Sequence, residues 1–209
     1  MNPEYIRHLL ERLRRGEVST EEVLEHLKRL PFEDVGFAKV DHHRGLRKGC
    51  PEVIYGEGKT PGQVAEIFSS LAALNPNVLC TRAAPETADA VRKLVPEARY
   101  HELCRLVEIN RSEAQPEGLV VVAAAGTSDL AVSEEAAVTL EVMGSRVERL
   151  YDVGVAGIHR LFAHGDVLFE ANCIVAVAGM EGALPSVIGG LVDVPVIAVP
   201  TSVGYGASF

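Results

Sequence analysis

Apolar residues recur along this chain with two different periods, and the period predicts where helices and strands lie. Near the N-terminus, apolar positions at helical spacing predict a helix that ends at Gly16. A second helix is expected to begin at Ser19, which forms a capping box with Glu22, and to end at Pro31. The two segments predict a helical hairpin whose second helix buries one apolar side: Val23, Leu24, Leu27 and Leu30.

Short strand and helix patterns alternate in the next part of the chain. Two strands are predicted at residues 37–40 and 52–55, with a loop over residues 41–51 between them. Thr60, Pro61 and Gln63 predict a helix start, because they supply an N-cap, a proline at the first helical position and a capping-box partner. This helix should reach about Leu74. A further strand, helix and strand are predicted over residues 77–81, 86–94 and 100–109.

The second half of the chain has a more regular pattern. Residues 111–118 are polar and contain proline and glycine, so we expect one domain over residues 1–115 and another over residues 116–209. In the second domain, strands are predicted at residues 119–125, 146–152, 173–178 and 194–199, and helices at residues 133–143, 158–164 and 183–191. Strands that are apolar throughout and alternate with helices indicate a parallel sheet covered on both faces. The sequence therefore predicts an α/β protein.

Composition narrows the class of protein. Apolar residues make up 47% of the 209 residues and charged residues 23%, which is typical of a globular protein. The net charge is −9 without a basic cluster, which argues against nucleic acid or an anionic membrane as partner but allows small anionic ligands. Four cysteines without a CxxC pair and no apolar run of ~20 residues favour a cytoplasmic location. No metal site is predicted, since the adjacent His42 and His43 would point to opposite faces of an extended strand.

Ligands of parallel sheets bind beyond the carboxyl ends of the strands, and polar motifs fall at three of these ends. The first strand is followed by Gly126, which would let the backbone turn tightly and approach a ligand, and by the hydroxyls of Thr127 and Ser128. Together with a helix N-terminus, these residues suit a phosphate. The alternative is that Ser128 or Asp129 is simply an N-cap.

The next two strands end in charged motifs. His159 and Arg160 follow the second strand and supply a titratable group and a fixed cation, although a solvated surface pair would have the same sequence. Glu181 follows the third strand between Gly179 and Gly182, where a carboxylate on permissive backbone is a candidate base. The alternative is a glutamate that only interacts with the helix dipole.

These motifs resemble two related families. GTSDL at 126–130, GIHR at 157–160 and the stretch AGMEGALPSVIGGLVDVPVIAVPT at 178–201 resemble the aminoimidazole ribonucleotide carboxylase/mutase (PurE-like) family. The similarity to the LarB family is more extensive, because FAKVDHHRGLRKGCPEVIYGEGKTPGQ at 37–63 is similar to that family's N-terminal signature. This sequence also has Glu181 where the purine enzymes have no acid. The resemblance implies a small N-terminal α/β domain with the hairpin, then a flavodoxin-like, three-layer PurE-like domain.

The LarB resemblance implies an enzyme, pyridinium-3,5-biscarboxylic acid mononucleotide synthase, of nickel-pincer (lactate racemase) cofactor assembly. It carboxylates C5 of the nicotinate ring of nicotinic acid adenine dinucleotide and hydrolyses the phosphoanhydride to release AMP. The implied substrates are this dinucleotide and CO2 or bicarbonate, with no tightly bound cofactor, and a role for Mg²⁺ stays open. In this chain the implied catalytic residues are Asp129, Glu181 and His159. The implied ligand-binding residues are Gly126, Thr127, Ser128, Arg160, Gly179, Met180, Gly182, Ala183, Asp41, His43 and Arg44.

The resemblance also raises the question of the nucleophile. The family's cysteine follows the Ser-Val-Gly-Tyr-Gly segment at residues 202–206, and none of the four cysteines here matches it. Cys173 is expected to be structural, and Cys50 is a weaker candidate for the nucleophile. We therefore expect a C-terminally shortened sheet domain with an incomplete site. The resemblance further implies a homo-oligomer through this domain. The alternatives are an aminoimidazole ribonucleotide carboxylase or mutase, and a catalytically silent nucleotide-binding module.

Overall fold

The structure, a computed structural model, describes residues 3–28 and 32–203. By its internal contacts the chain divides into two compact units, Met1–Ser112 and Glu113–Phe209. Two parts of the sequence predictions lie outside the described residues, namely the end of the second helix at Pro31 and the C-terminal motif from residue 204 onward. Within the described parts, no helix is both long and apolar enough to cross a membrane.

The N-terminal unit begins with the predicted helical hairpin. Helix α1 spans Pro3–Arg14 and helix α2 spans Thr20–Lys28. The capping box is confirmed, because Ser19 and Glu22 exchange hydrogen bonds of 2.7 and 3.1 Å between their backbone N–H groups and side chains. The prediction of a fully buried apolar side was wrong at Leu24, which is 51% exposed.

A mixed four-stranded sheet and a separate two-stranded antiparallel sheet lie in the rest of this unit. The elements, in chain order, are β1 (Glu33–Asp34), β2 (Lys39–Val40), α3 (Arg44–Lys48), β3 (Val53–Tyr55), α4 (Pro61–Leu74), β4 (Asn77–Thr81), α5 (Pro85–Leu94), β5 (Arg99–His101) and β6 (Leu106–Asn110). The strand order of the four-stranded sheet is β3-β4-β6-β5, with only β3 and β4 parallel. Helix α4 has the predicted capping box and buries Phe68 and Leu71 in the core.

Three sequence predictions for this unit were wrong. Residues 41–51 are not all loop, because they contain α3, which ends at Gly49 in the left-handed conformation (φ 71°). Residues 100–109 are an antiparallel hairpin rather than one strand, and Arg105 takes the left-handed conformation of the turn (φ 53°). His42 and His43 lie in a turn rather than on a strand, so the argument from opposite faces does not apply to them.

The C-terminal unit is built around a parallel sheet. Its elements are β7 (Glu117–Ala124), a 3₁₀ turn at Thr127–Asp129, α6 (Leu130–Val142), β8 (Ser145–Leu150), a 3₁₀ turn at Val155–Gly157, α7 (His159–Phe162), α8 (Gly165–Glu170), β9 (Cys173–Ala178), α9 (Ala183–Gly189) and β10 (Val196–Pro200). The strand order is β10-β9-β7-β8, and every pair is parallel. The predicted helix over residues 158–164 corresponds to the shorter α7, and α8, which begins after His164, was not predicted.

Alternate residues of the two central strands pack on opposite faces of this sheet. Val121 and Ile174 belong to a core with Leu168 of α8 and Ile188 of α9. The other face of β7 and β9 packs on α6, which contributes Ala137. Because both faces are covered by helices, the central strands are apolar from Leu119 in β7 and from Cys173 in β9 to their ends. The predicted α/β class with a three-layer parallel-sheet domain is confirmed.

Candidate active site

A cavity of about 220 Å³ opens at the carboxyl-terminal edge of the parallel sheet. The strand register aligns the ends of neighbouring strands there: Ala124 pairs with Val177, and Pro200 pairs with Ala178. The loops that follow all four strands therefore contribute to its walls. Whole small-molecule pockets enclose ~300–1,000 Å³, so this cavity accommodates a fragment such as a ring and a phosphate rather than a whole dinucleotide.

The loop after β7, residues 126–129, is named the anion loop here. The backbone N–H groups of Thr127 and Ser128 lie at the start of the 3₁₀ turn that leads into α6, and they donate to no other atom of the described chain. Ser128 lines the cavity, whereas the exposed Thr127 lies outside its lining. Free N–H groups at a helix N-terminus favour an anion, which agrees with the predicted phosphate site.

Gly126 does not have the conformation that the sequence suggested. Its backbone is extended (φ −141°), and an added Cβ would lie 3.8 Å from the nearest atom, Asp129 Oδ2. The turn therefore does not require glycine, and that part of the prediction was wrong. The close approach of a ligand to Gly126, which lines the cavity, stays a prediction.

Asp129 is buried, with 5% of its surface exposed, although it also lines the cavity. Its Oδ2 accepts a hydrogen bond from the Gly126 N–H (3.0 Å), and its Oδ1 accepts one from the Thr201 hydroxyl (2.6 Å). The side chain makes no capping bond to α6, so Asp129 is not a simple N-cap. Both oxygens are thus already engaged within the protein.

Arg160 lines the cavity with its guanidinium folded back over the preceding turn. Its Nη1 donates to the carboxylate of Asp152, and its Nε donates to the carbonyl of Gly157 (3.4 Å). A Cβ on Gly157 would lie 2.7 Å from Nε, so a side chain there would displace the guanidinium. His159 is exposed and lies outside the cavity lining, so the structure does not bring it together with Asp129.

The loop after β9, residues 179–182, is named the Glu181 loop here. Met180 and Gly182 have left-handed backbone (φ 52° and 65°), a conformation that costs a residue with a side chain ~1–2 kcal/mol. The Met180 N–H donates to the Val203 carbonyl (3.1 Å), which helps to hold this conformation. Glu181 lines the cavity, is exposed, and has no hydrogen-bond or ion-pair partner among the described residues. Gly179, Met180 and Ala183 also line the cavity, whereas Gly182 does not.

Sequence reasoning missed three residues that shape the site. Thr201 bonds Asp129, and Asp152 pairs with Arg160. Gly154 packs so closely that an added Cβ would lie 2.6 Å from the carbonyl oxygen of Ala125. A glycine just after a strand was a signal that could have revealed Gly154, but nothing local to Thr201 marks its contact across 72 residues.

The predicted ligand-binding residues of the N-terminal unit lie around the start of α3. Asp41 Oδ1 accepts the N–H of His43 (3.1 Å), while the Asp41 N–H donates to Glu52 (2.7 Å). Asp41 therefore stabilises the turn that leads into α3. Arg44 is exposed at the first position of that helix. Their contact with a dinucleotide stays a prediction.

None of the four cysteines, all within the described residues, lines the cavity. Cys80 and Cys104 are buried, and burial raises the pKa of the Cys80 thiol to about 12. Cys80 is therefore a poor nucleophile near neutral pH, because the thiolate is the reactive form. Cys50 and Cys173 are half-buried.

Comparison with known proteins extends over both units. Family models match at residues 32–111, as LarB/PurE-like N-terminal domain, and at residues 119–207, as AIR carboxylase. A protein of Methanocaldococcus jannaschii, named Uncharacterized protein MJ0165, is 39% identical over an alignment of 216 positions, which covers 96% of this chain and 82% of that relative. The AIR carboxylase domain indicates a carboxylase-like activity. With both of its domains matched in order, the chain belongs to the LarB family, with a LarB-type N-terminal domain and a PurE-like C-terminal domain.

Proposed function

We propose that this protein carboxylates C5 of the nicotinate ring of nicotinic acid adenine dinucleotide and hydrolyses the phosphoanhydride. The products are pyridinium-3,5-biscarboxylic acid mononucleotide, a precursor of the nickel-pincer cofactor, and AMP. One observation carries the proposal: a LarB-type domain precedes an AIR carboxylase domain whose cavity contains the carboxylate of Glu181, which has no partner among the described residues. No tightly bound cofactor is needed for this chemistry.

The reaction requires a nucleophile and a base. A pyridinium ring is electron-poor and does not attack CO2, but addition of a thiolate converts it into an enamine whose C5 is nucleophilic. After C5 bonds to CO2, a base removes the C5 proton, and the thiolate leaves as the ring becomes aromatic again. The thiolate is regenerated, so no oxidant or reductant is consumed. Water cleaves the phosphoanhydride in the same overall reaction.

The geometry supports a division of roles among the cavity residues. Glu181 is the proposed base, because its carboxylate lines the cavity and is not engaged by any residue that the structure describes. Asp129 was predicted to share this role, but both of its oxygens already accept hydrogen bonds, which favours a supporting role. Ser128 and the N–H groups of the anion loop would bind phosphate, and Arg160 would bind a phosphate or carboxylate. His159 would meet a part of the ligand that extends beyond the cavity.

The source of the thiolate is a separate part of the proposal. Because none of the four cysteines lines the cavity, we propose that these 209 residues alone turn over slowly and that a small thiol such as 2-mercaptoethanol increases the rate. Fast turnover without added thiol would contradict this and would assign the role to a cysteine present here. Cys50→Ser and Cys173→Ser would then identify which one.

A turnover assay tests the function directly. The protein is incubated with nicotinic acid adenine dinucleotide and ¹³C-bicarbonate, with and without 2-mercaptoethanol, and AMP and the carboxylated mononucleotide are followed by mass spectrometry. Parallel reactions with and without Mg²⁺ are included, because Mg²⁺ commonly binds through substrate phosphates. Tight binding of the dinucleotide without either product in any condition would identify a silent nucleotide-binding module instead.

The match of residues 119–207 to AIR carboxylase supports a second candidate, a carboxylase or mutase acting on aminoimidazole ribonucleotide. Thermal-shift measurements separate the two, since a ligand stabilises the protein that binds it. Nicotinic acid adenine dinucleotide should raise Tm under the favoured proposal. Aminoimidazole ribonucleotide should raise it under the second.

We also propose that the chain forms a homo-oligomer through its C-terminal unit. Strand β10 is at one edge of the sheet and is apolar, and Ile197 there is 52% exposed. Exposed apolar edge strands tend to associate, whereas the opposite edge strand, β8, contains Arg146 and Glu148. Light scattering of the protein and of Ile197→Lys tests this, and a monomeric parent would contradict it.

A further inference from the structure

Thr201 lies where three of the loops around the cavity meet. Its N–H donates to the carbonyl of Ala178 at the end of β9 (3.0 Å), and its hydroxyl donates to Asp129 Oδ1 (2.6 Å). An added Cβ on Gly179 would lie 2.9 Å from Thr201 Oγ1, so the hydroxyl also packs against the Glu181 loop. Thr201 is 5% exposed and lies behind the cavity wall rather than in its lining.

The buried carboxylate of Asp129 depends on this hydroxyl. Among the residues that the structure describes, two donors reach it, the Thr201 hydroxyl and the Gly126 N–H, one on each oxygen. Hydrogen bonds to an ionised group are among the strongest in proteins, and a buried oxygen that loses its donor is strongly disfavoured. A threonine hydroxyl has one proton to donate, and here Asp129 accepts it. Thr201 therefore acts on the site through Asp129 rather than as a donor to the ligand.

We propose that Thr201 is a positioning residue of the carboxylation site, an inference that rests on the proposed function. By fixing Asp129 between its hydroxyl and the Gly126 N–H, Thr201 sets the separation of the anion loop and the Glu181 loop. A phosphate bound by the first loop then places the attached ring at the base on the second. Displacements of about 1 Å cost enzymes ~100-fold in rate, so this separation matters.

Two substitutions and a matched control test the proposal by kinetics. Thr201→Val keeps the size but removes the donor, Thr201→Ser keeps the donor, and Ser202→Ala removes the exposed hydroxyl of the next residue. We expect Thr201→Val to lower kcat about tenfold or more with KM within about threefold, and the other two variants to stay near the parent. A Thr201→Ser variant as slow as Thr201→Val would overturn the proposal.

Amide hydrogen exchange provides a readout that needs no substrate. The Gly126 N–H donates to Asp129 Oδ2, so its exchange reports whether Asp129 stays in place. Thr201→Val should accelerate exchange at Gly126 about tenfold, with the amides of β9 unchanged, and Thr201→Ser should leave both unchanged. Unchanged protection of Gly126 in Thr201→Val, or its loss in Thr201→Ser, contradicts the proposal. A parent that does not turn over nicotinic acid adenine dinucleotide would disprove the proposed function, while this measurement would still decide the role of Thr201.

Discussion

Two loops at the same edge of the sheet present a carboxylate to the same cavity, yet the two carboxylates have opposite environments. Asp129 in the anion loop is 5% exposed and accepts a hydrogen bond on each oxygen. Glu181 is exposed and has no partner among the described residues. The backbones differ as well, because the anion loop continues smoothly into α6, whereas the Glu181 loop contains the left-handed residue Met180.

The difference indicates what each carboxylate does. A group that already accepts two hydrogen bonds is suited to organising structure, and a group without a partner is suited to exchanging a proton with a ligand. Strained backbone persists only where surrounding structure supports it, and it occurs often at functional sites. Met180, next to Glu181, has such a backbone. From this comparison we expect the larger stability effect at Asp129 and the larger rate effect at Glu181.

The largest expected effect is on the reaction rate. Glu181→Gln keeps the size and removes the base, so carboxylation should fall by roughly 10²–10⁴-fold, the usual contribution of a general base. Binding of the dinucleotide, measured by calorimetry, should change little. Glu170→Gln is the matched control, because it removes an exposed carboxylate outside the cavity lining. If Glu181→Gln is as active as the parent, Glu181 is not the base.

The next effect is on stability. Asp129→Ala removes both accepting oxygens and leaves the Gly126 N–H and the Thr201 hydroxyl without the acceptors that they have in the parent. Leaving such a buried group unsatisfied costs about 1–3 kcal/mol, which urea denaturation can measure. The exposed Glu181→Gln should stay within about 0.5 kcal/mol of the parent. Equal stabilities of the two variants would remove the distinction between these carboxylates.

Elements with a clear period were predictable from sequence, and elements that depend on distant contacts were not. Strand β9 has the predicted bounds, because an apolar run between polar residues leaves little freedom. Helix α3 has only five residues, too few to show a helical period. The turn before β6 has Arg105 in the left-handed conformation, a position at which glycine is expected from sequence.

The candidate site follows the same rule. The loops around Ser128, Arg160 and Glu181 were predictable, because they follow apolar strands whose carboxyl ends share one edge. Neither Thr201 nor Asp152 was predicted, because each acts through a side-chain contact that only the folded chain creates. The engagement of both Asp129 oxygens was unpredictable for the same reason.

Substitution of one glycine in each of the two loops tests the same comparison through protein stability. In Gly179→Ala, the new Cβ would lie 2.5 Å from the Val203 carbonyl, so backbone must shift, at a cost of about 1–3 kcal/mol. In Gly126→Ala the nearest atom is at 3.8 Å, and stability should stay within about 0.5 kcal/mol of the parent. Urea denaturation of both variants checks this. A stable Gly179→Ala variant would show that the loops around the cavity rearrange easily.

The smallest expected effect concerns Arg160, the cation on the loop that follows β8. Arg160→Gln removes the guanidinium that lines the cavity, and because this side chain is partly exposed, KM for the dinucleotide should rise only several-fold, or about 1 kcal/mol. Asp152→Asn is the matched variant, for which we expect KM to change in the opposite direction. It weakens the ion pair that competes for Arg160, and asparagine tolerates the left-handed backbone of this position (φ 59°). KM should therefore fall slightly, and more at low salt than at high salt. An unchanged KM in Arg160→Gln would show that Arg160 does not bind the ligand. Glu181 would then be the charged side chain of the cavity with a proposed contact to the substrate.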